Sequence, residues 1–206
     1  MRKKKIGRKG QMFVAAAVVI IVGLLLMKNL FSLYSTVEEK RHQESLLPGN
    51  RLDNIEKEYE YILGISAMQG GRGNGVEYLS NFSNYLRDDT NDFEGLYVFV
   101  VTNSSSHTYS ITVGNFLRDK INATINVTDS TPTMVGAEIG DRLNHTWEFQ
   151  SSAMQVNITL IYDFQNSRMI EQFSVNTGKN VTFGFFDIML QSDLFLRKQF
   201  QYQLIR

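Results

Sequence analysis

Leu96-Tyr97-Val98-Phe99-Val100-Val101 is the stretch on which the fold turns. All six residues are apolar, β-branched or aromatic, and no polar position recurs at either helical or strand spacing. A run this short with that composition reads as a strand buried on both faces. It also marks a change of period. Before it, apolar residues recur every three or four positions; after it, they recur every second position.

Working toward the C-terminus, Tyr109, Ile111 and Val113 alternate with Ser110 and Thr112. Ile121, Ala123, Ile125 and Val127 alternate with Asn122, Thr124, Asn126 and Thr128. Met154, Val156, Ile158, Leu160 and Tyr162 alternate with Gln155, Asn157, Thr159 and Asp163, with Ile161 breaking the rule. Val181, Phe183 and Phe185 alternate with Thr182 and Gly184, and Leu194, Leu196, Phe200, Tyr202 and Leu204 stand opposite Arg197, Gln199, Gln201 and Gln203. Weaker segments surround Trp147 and Phe173. About eight strands at this spacing predict an antiparallel β-sandwich over residues 95–206.

The polar positions carry a second pattern. Asn81, Asn103, Asn122, Asn126, Asn144, Asn157 and Asn180 each begin an Asn-x-Ser/Thr triplet, the acceptor motif for N-linked glycans. With the chain's asparagine, serine and threonine content, chance gives roughly two such triplets on the plain product of frequencies behind the motif. In a strand, positions i and i+2 share a face, so both motif residues point the same way. Asparagine is disfavoured in strands, so its recurrence there favours glycosylation over a merely polar surface.

Working toward the N-terminus, Leu52, Ile55, Tyr59, Ile62 and Leu63 follow Pro48-Gly49-Asn50 at helical spacing and predict an amphipathic helix to about Met68. Gly70-Gly71-Arg72-Gly73-Asn74-Gly75 interrupts it. This cluster lacks the Gly-Lys-Ser/Thr of a phosphate loop and reads as a connector. A second helix is expected from Val76 to about Asp89, with Leu79, Phe82 and Leu86 on one face. Residues 35–94 are thus expected to form a helical stalk or linker region.

Met12 to Met27 is an unbroken apolar run, followed after Lys28 and Asn29 by Leu30, Phe31, Leu33 and Tyr34. Sixteen helical residues span roughly 24 Å, and an extension to Tyr34 reaches roughly 34 Å, enough for a hydrocarbon core of ~30 Å. Arg2, Lys3, Lys4, Lys5, Arg8 and Lys9 precede the run. Removing those six from the 21 basic residues leaves 15 against 21 acidic ones, or about −6, for the remainder. That asymmetry places the N-terminus inside and the rest outside. A cleaved secretory signal would carry small residues after its apolar core, whereas Ala15, Ala16 and Ala17 stand near its start.

Lys9-Gly10-Gln11 at the edge of this run resembles the class III signal peptide of archaeal type IV pilin-like proteins. The resemblance covers about the first 35 residues. It implies cleavage between Gly10 and Gln11 by a prepilin-type peptidase, a leader over residues 1–10, and a retained transmembrane or filament-core helix over 11–34. It further implies a β-rich head outside the cell and partners among membrane lipid, copies of the chain in a filament, or other pilin-like subunits. Many family members carry glutamate at the fifth mature position to pair with a neighbour's N-terminal amine; here that position is Ala15.

No catalytic, cofactor or metal site emerges. The chain has no cysteine, which removes disulfides, thiolate metal sites and cysteine nucleophiles. His42, His107 and His145 stand apart with no metal-ligand spacing, and no Gly-x-Ser-x-Gly elbow is present. Asp88, Asp89 and Asp92 depart from the register of a calcium loop. A mildly acidic outer portion argues against nucleic acid. The expected architecture is α+β: an N-terminal membrane or filament helix, two short helices, and an antiparallel β-sandwich of about eight strands. The expected function is a non-enzymatic, pilin-like surface protein, with a monomeric membrane-anchored surface or binding protein as the alternative.

Overall fold

The computed structural model describes residues 20–24, 26–31, 48–69, 73–129, 132–165, 167–191 and 195–205. The chain divides into two compact units, Met1–Asn50 and Arg51–Arg206. In the first, residues 20–24 and 26–31 are helical and exposed. Gly10, Gln11, Ala15, His42 and residues 35–41 lie outside the described residues.

Two helices lead into the second unit: α1 (Pro48–Met68) and α2 (Gly73–Asp89). Proline suits the first turn of α1, where its missing N–H would have had no intrahelical partner. Leu52, Ile55, Tyr59 and Leu63 form the buried stripe of α1, and Leu79, Ser83 and Leu86 that of α2. The Tyr59 hydroxyl and Ser83 Oγ are 2.8 Å apart and join the helices. Burial pushes the Tyr59 phenol well above its ordinary pKa. Thr90 closes α2, its backbone N–H and hydroxyl both donating to the Leu86 carbonyl.

Nine strands follow: β1 (Phe93–Asn103), β2 (Thr108–Phe116), β3 (Ile121–Thr128), β4 (Thr133–Ile139), β5 (Leu143–Gln150), β6 (Gln155–Phe164), β7 (Ser167–Asn176), β8 (Val181–Gln191) and β9 (Phe195–Ile205). They form two antiparallel sheets, one ordered β5-β2-β1-β8-β9 and the other β4-β3-β6-β7. The inner faces share one core. Leu96, Val98, Val100, Ile111, Val113, Val181, Phe183 and Phe185 of the five-stranded sheet meet Ile121, Ile125, Val127, Val156, Ile158, Leu160 and Tyr162 of the four-stranded one.

A second core lies on the other side of the five-stranded sheet. Tyr97, Phe99, Val101, Phe116, Phe186, Ile188 and Leu190 pack with Leu52, Ile55, Tyr59, Leu63, Leu79 and Leu86 of the helices. The unit is therefore three-layered: helices, five strands, four strands. β1 and β8 lie in the middle layer, which is why both of their faces are apolar. Gly184 leaves room there, since a Cβ would strike Leu63 and Phe186.

Buried charges tie strands together. Asp187 on β8 accepts a 2.7 Å hydrogen bond from the Tyr162 hydroxyl on β6 and is gripped through both oxygens by Arg197 on β9. Burial and the adjacent carboxylate push the Tyr162 phenol up strongly. Glu94 on β1 pairs with Arg118 at 2.8 Å. Desolvation raises the Glu94 pKa despite that partner.

Two parts of the expected architecture are overturned. Among the described residues the strands number nine rather than about eight, and the additional one is β4. Its inward residues are Val135, Ala137 and Ile139, while Met134 and Gly136 interrupt the polar side, so its alternation is faint. The second correction concerns the long apolar helix expected over 11–34. Among the described residues, no helix is long and apolar enough to cross a membrane. The helical residues described there are 20–24 and 26–31, and the second stretch includes Lys28 and Asn29. Nor are the two later helices short, at 21 and 17 residues.

Candidate functional site: an asparagine- and threonine-bearing sheet face

The outer face of the four-stranded sheet is built by alternation. In β3, Ile121, Ala123, Ile125 and Val127 turn inward, so Asn122, Thr124, Asn126 and Thr128 turn outward. In β6, Val156, Ile158, Leu160 and Tyr162 turn inward, leaving Asn157, Thr159, Ile161 and Asp163 outside. The register sets Asn126 opposite Thr159 and Thr128 opposite Asn157. Two Asn-x-Thr triplets thus lie side by side in opposite directions. Gly136 of β4 lies opposite Thr124, and Gln172 and Ser174 of β7 lie opposite Thr159 and Asn157. Thr128, Asn157, Thr159, Gln172 and Ser174 line a shallow depression of about 500 Å³. Charge is confined to the margins, where Lys120 and Glu138 pair at 3.1 Å.

This face presents neutral amides and hydroxyls. Glycan attachment needs the carboxamide nitrogen and the hydroxyl two residues on. Asn122, Asn126 and Asn157 offer both from one surface.

The other four triplets sit differently. Asn103 ends β1, and its Oδ1 accepts the backbone N–H groups of Ser105 and Ser106 at 3.1 and 3.4 Å, a turn that leaves Nδ2 outward. Asn144 is exposed on β5, but its Nδ2 donates to Ser80 Oγ at 3.0 Å, and Thr146 Oγ1 lies 2.8 Å from Thr112 Oγ1. The Asn180 Oδ1 accepts from the backbone and hydroxyl of Ser104 at 2.9 and 3.0 Å, while Thr182 is completely buried beneath the helices. Asn81 is exposed on α2, where residues two apart do not share a face. Its partner Ser83 is buried and donates to the Leu79 carbonyl at 2.8 Å.

The remaining polar candidates are engaged in structure. Asp88 pairs with Arg142 at 2.7 Å and Asp92 with Arg51 at 3.4 Å. Among the described residues, no group of three or more histidine or acidic side chains converges as a metal site would require. His107 occupies the β1–β2 turn with φ 53°, and His145 lies on β5 with its ring edge-on to Trp147 at 4.5 Å. Gln172 and Ser174 belong to the depression but escaped sequence reading, because β7 has a weak pattern and its register was not readable.

Gly10 and Gln11 lie outside the described residues. No protein-family model matches the chain, and no curated protein matches it. The class that fold and site define is a three-layered β-sandwich domain bearing an open neutral polar face.

Proposed function

We propose that this chain is a type IV pilin-like structural protein of the archaeal cell surface. A prepilin-type peptidase cuts between Gly10 and Gln11, the apolar segment that follows holds the protein in a membrane or filament, and the β-rich unit stands outside, carrying glycans. The reading is carried by one observation: Lys9-Gly10-Gln11 falls at the boundary between a basic leader and an unbroken apolar run. The open sheet face supports it, since three acceptor triplets present amide and hydroxyl together where no helix covers them.

A second reading has its own support. Ala15 stands where a filament subunit would place a carboxylate, which favours a single membrane-tethered surface protein that does not polymerise. Neither reading assigns catalysis.

Mass spectrometry of the protein isolated from its native cells tests both. A mature chain beginning at Gln11, with sugar masses on Asn122, Asn126 or Asn157, is the expected result, and filament imaging then separates polymer from monomer. A chain that retains Lys3 to Lys9 removes the pilin reading. Unmodified asparagines throughout remove the glycan coat.

A further inference from the structure

β9 is the edge of the five-stranded sheet, and among the described residues its backbone pairs with β8 alone. It runs for 11 residues in unbroken register, from Gln191↔Phe195 to Val181↔Ile205. An open edge of this kind invites another strand, and soluble proteins usually guard one with a charge, proline or bulge. The other three edges carry interior charges: Glu138 in β4, Glu148 in β5, and Arg168 with Glu171 in β7. β9 carries Arg197 and Lys198, both in its first half and paired with Asp187 and with Asp53 and Glu56, as Glu138 of β4 is paired with Lys120. Residues 199–205 carry no charge, proline or glycine.

The sequence of β9 is nearly palindromic about Phe200. Laid antiparallel against a second β9 over its whole length, it sets Phe195 opposite Ile205, Leu196 opposite Leu204, Gln199 opposite Gln201, and Phe200 opposite its own copy. Arg197 then faces Gln203, and Lys198 faces Tyr202. No like charges meet, and Phe195, Leu196, Phe200, Leu204 and Ile205 each find an apolar partner on the same face, while Tyr202 meets the Lys198 stem. Phe195 and Ile205 are each 57% exposed in the single chain, at opposite ends of the strand. In this register each would cover the other's copy. Cross-strand aromatic and aliphatic pairs are the unit of sheet stabilisation, and a two-fold axis makes the contact self-complementary.

We propose that β9 is a homotypic docking edge, through which two copies of this chain join their five-stranded sheets into one of ten strands by antiparallel strand addition. The residues named in this contact all lie in β9.

The test uses the full chain in non-ionic detergent. Analytical ultracentrifugation is expected to give a dimer for the wild type at micromolar concentration. Gln199→Lys combined with Gln201→Lys sets lysine against lysine twice and is expected to give a monomer. The corresponding double glutamate variant is expected to be monomeric too, and mixing the two restores the dimer. Because the chain has no cysteine, Gln199→Cys mixed with Gln201→Cys should form a disulfide-linked pair on oxidation far more than either alone. A monomeric wild type overturns the proposal. So does a folded lysine variant that stays dimeric, or a cysteine mixture that links no better than its components.

Discussion

The two sheets use the same pairing chemistry and have strands of similar length, yet they differ in what their second face meets. In the five-stranded sheet, the second face of β1 meets helices, so Tyr97, Phe99 and Val101 are as buried as Leu96, Val98 and Val100. In the four-stranded sheet, the second face of β3 meets solvent, so Asn122 and Asn126 stand opposite the side that holds Ile121 and Ile125. A helix layer erases the alternation and leaves no room for function on that face. Without one, half of every strand is free to carry something else, and here it carries acceptor triplets.

The largest expected effect comes from breaking the helix-side core. Phe186 is fully buried, 4.5 Å from the Tyr59 ring centre and 5.1 Å from that of Phe200. Phe186→Ala should cost about 3–5 kcal/mol, read as a lowered midpoint in urea unfolding. A loss below about 1 kcal/mol would show that the helices contribute little to the middle layer.

Alkali should come next. Burial pushes the Tyr97 phenol up to about 12 from an ordinary 10, and those of Tyr59, Tyr109 and Tyr162 are raised as well. The unfolded chain ionises near 10 while the native chain still holds its protons. Stability is therefore fully present below pH 10 and is lost as pH rises toward 12, by about 2–3 kcal/mol from Tyr97 alone. Tyrosinate absorbance should then rise cooperatively with loss of circular dichroism; a gradual rise in a folded chain would contradict it.

Smaller again is Gly114→Ala on β2. Its cross-strand partner is Tyr97, whose ring lies where the new methyl would stand and whose hydroxyl is 2.8 Å from Ser80 Oγ. Displacing the ring should cost about 1–3 kcal/mol, measurable by calorimetry. The contrast is sharpest at Thr159→Ala on the open face, expected to stay within about 0.5 kcal/mol while removing the sugar from Asn157 in peptide mass spectra. A large stability loss there would mean the face is not simply solvent-facing.

Much of this was legible. The stripe Leu52, Ile55, Tyr59 and Leu63 gave α1, and alternation, strict in β3 and broken at Ile161 in β6, gave both strands with their outward asparagines. Alternation reports only that two faces differ, not that the second is wet. Thr182 and Gly184 read as the solvent side of β8, but the helices cover them, and the triplet at Asn180 lost its accessible hydroxyl. Asn81 looked equivalent to the strand triplets because the motif is local, yet helical geometry turns Ser83 the opposite way. β4 escaped because glycine, alanine and an exposed methionine blur both of its faces.

The central pair β1 and β8 has a consequence in time. Phe93 pairs with Leu190, so the hydrophobic strand in the middle layer of the second unit waits for a partner made 97 residues later. At synthesis rates of about 5–20 residues per second, that wait lasts about 5–20 seconds. β2 can close a hairpin on one side within microseconds, but the opposite edge and the helix-side face of β1 remain incomplete throughout. The chain's period of greatest risk is therefore set by the order of its strands, and it ends only when β8 arrives.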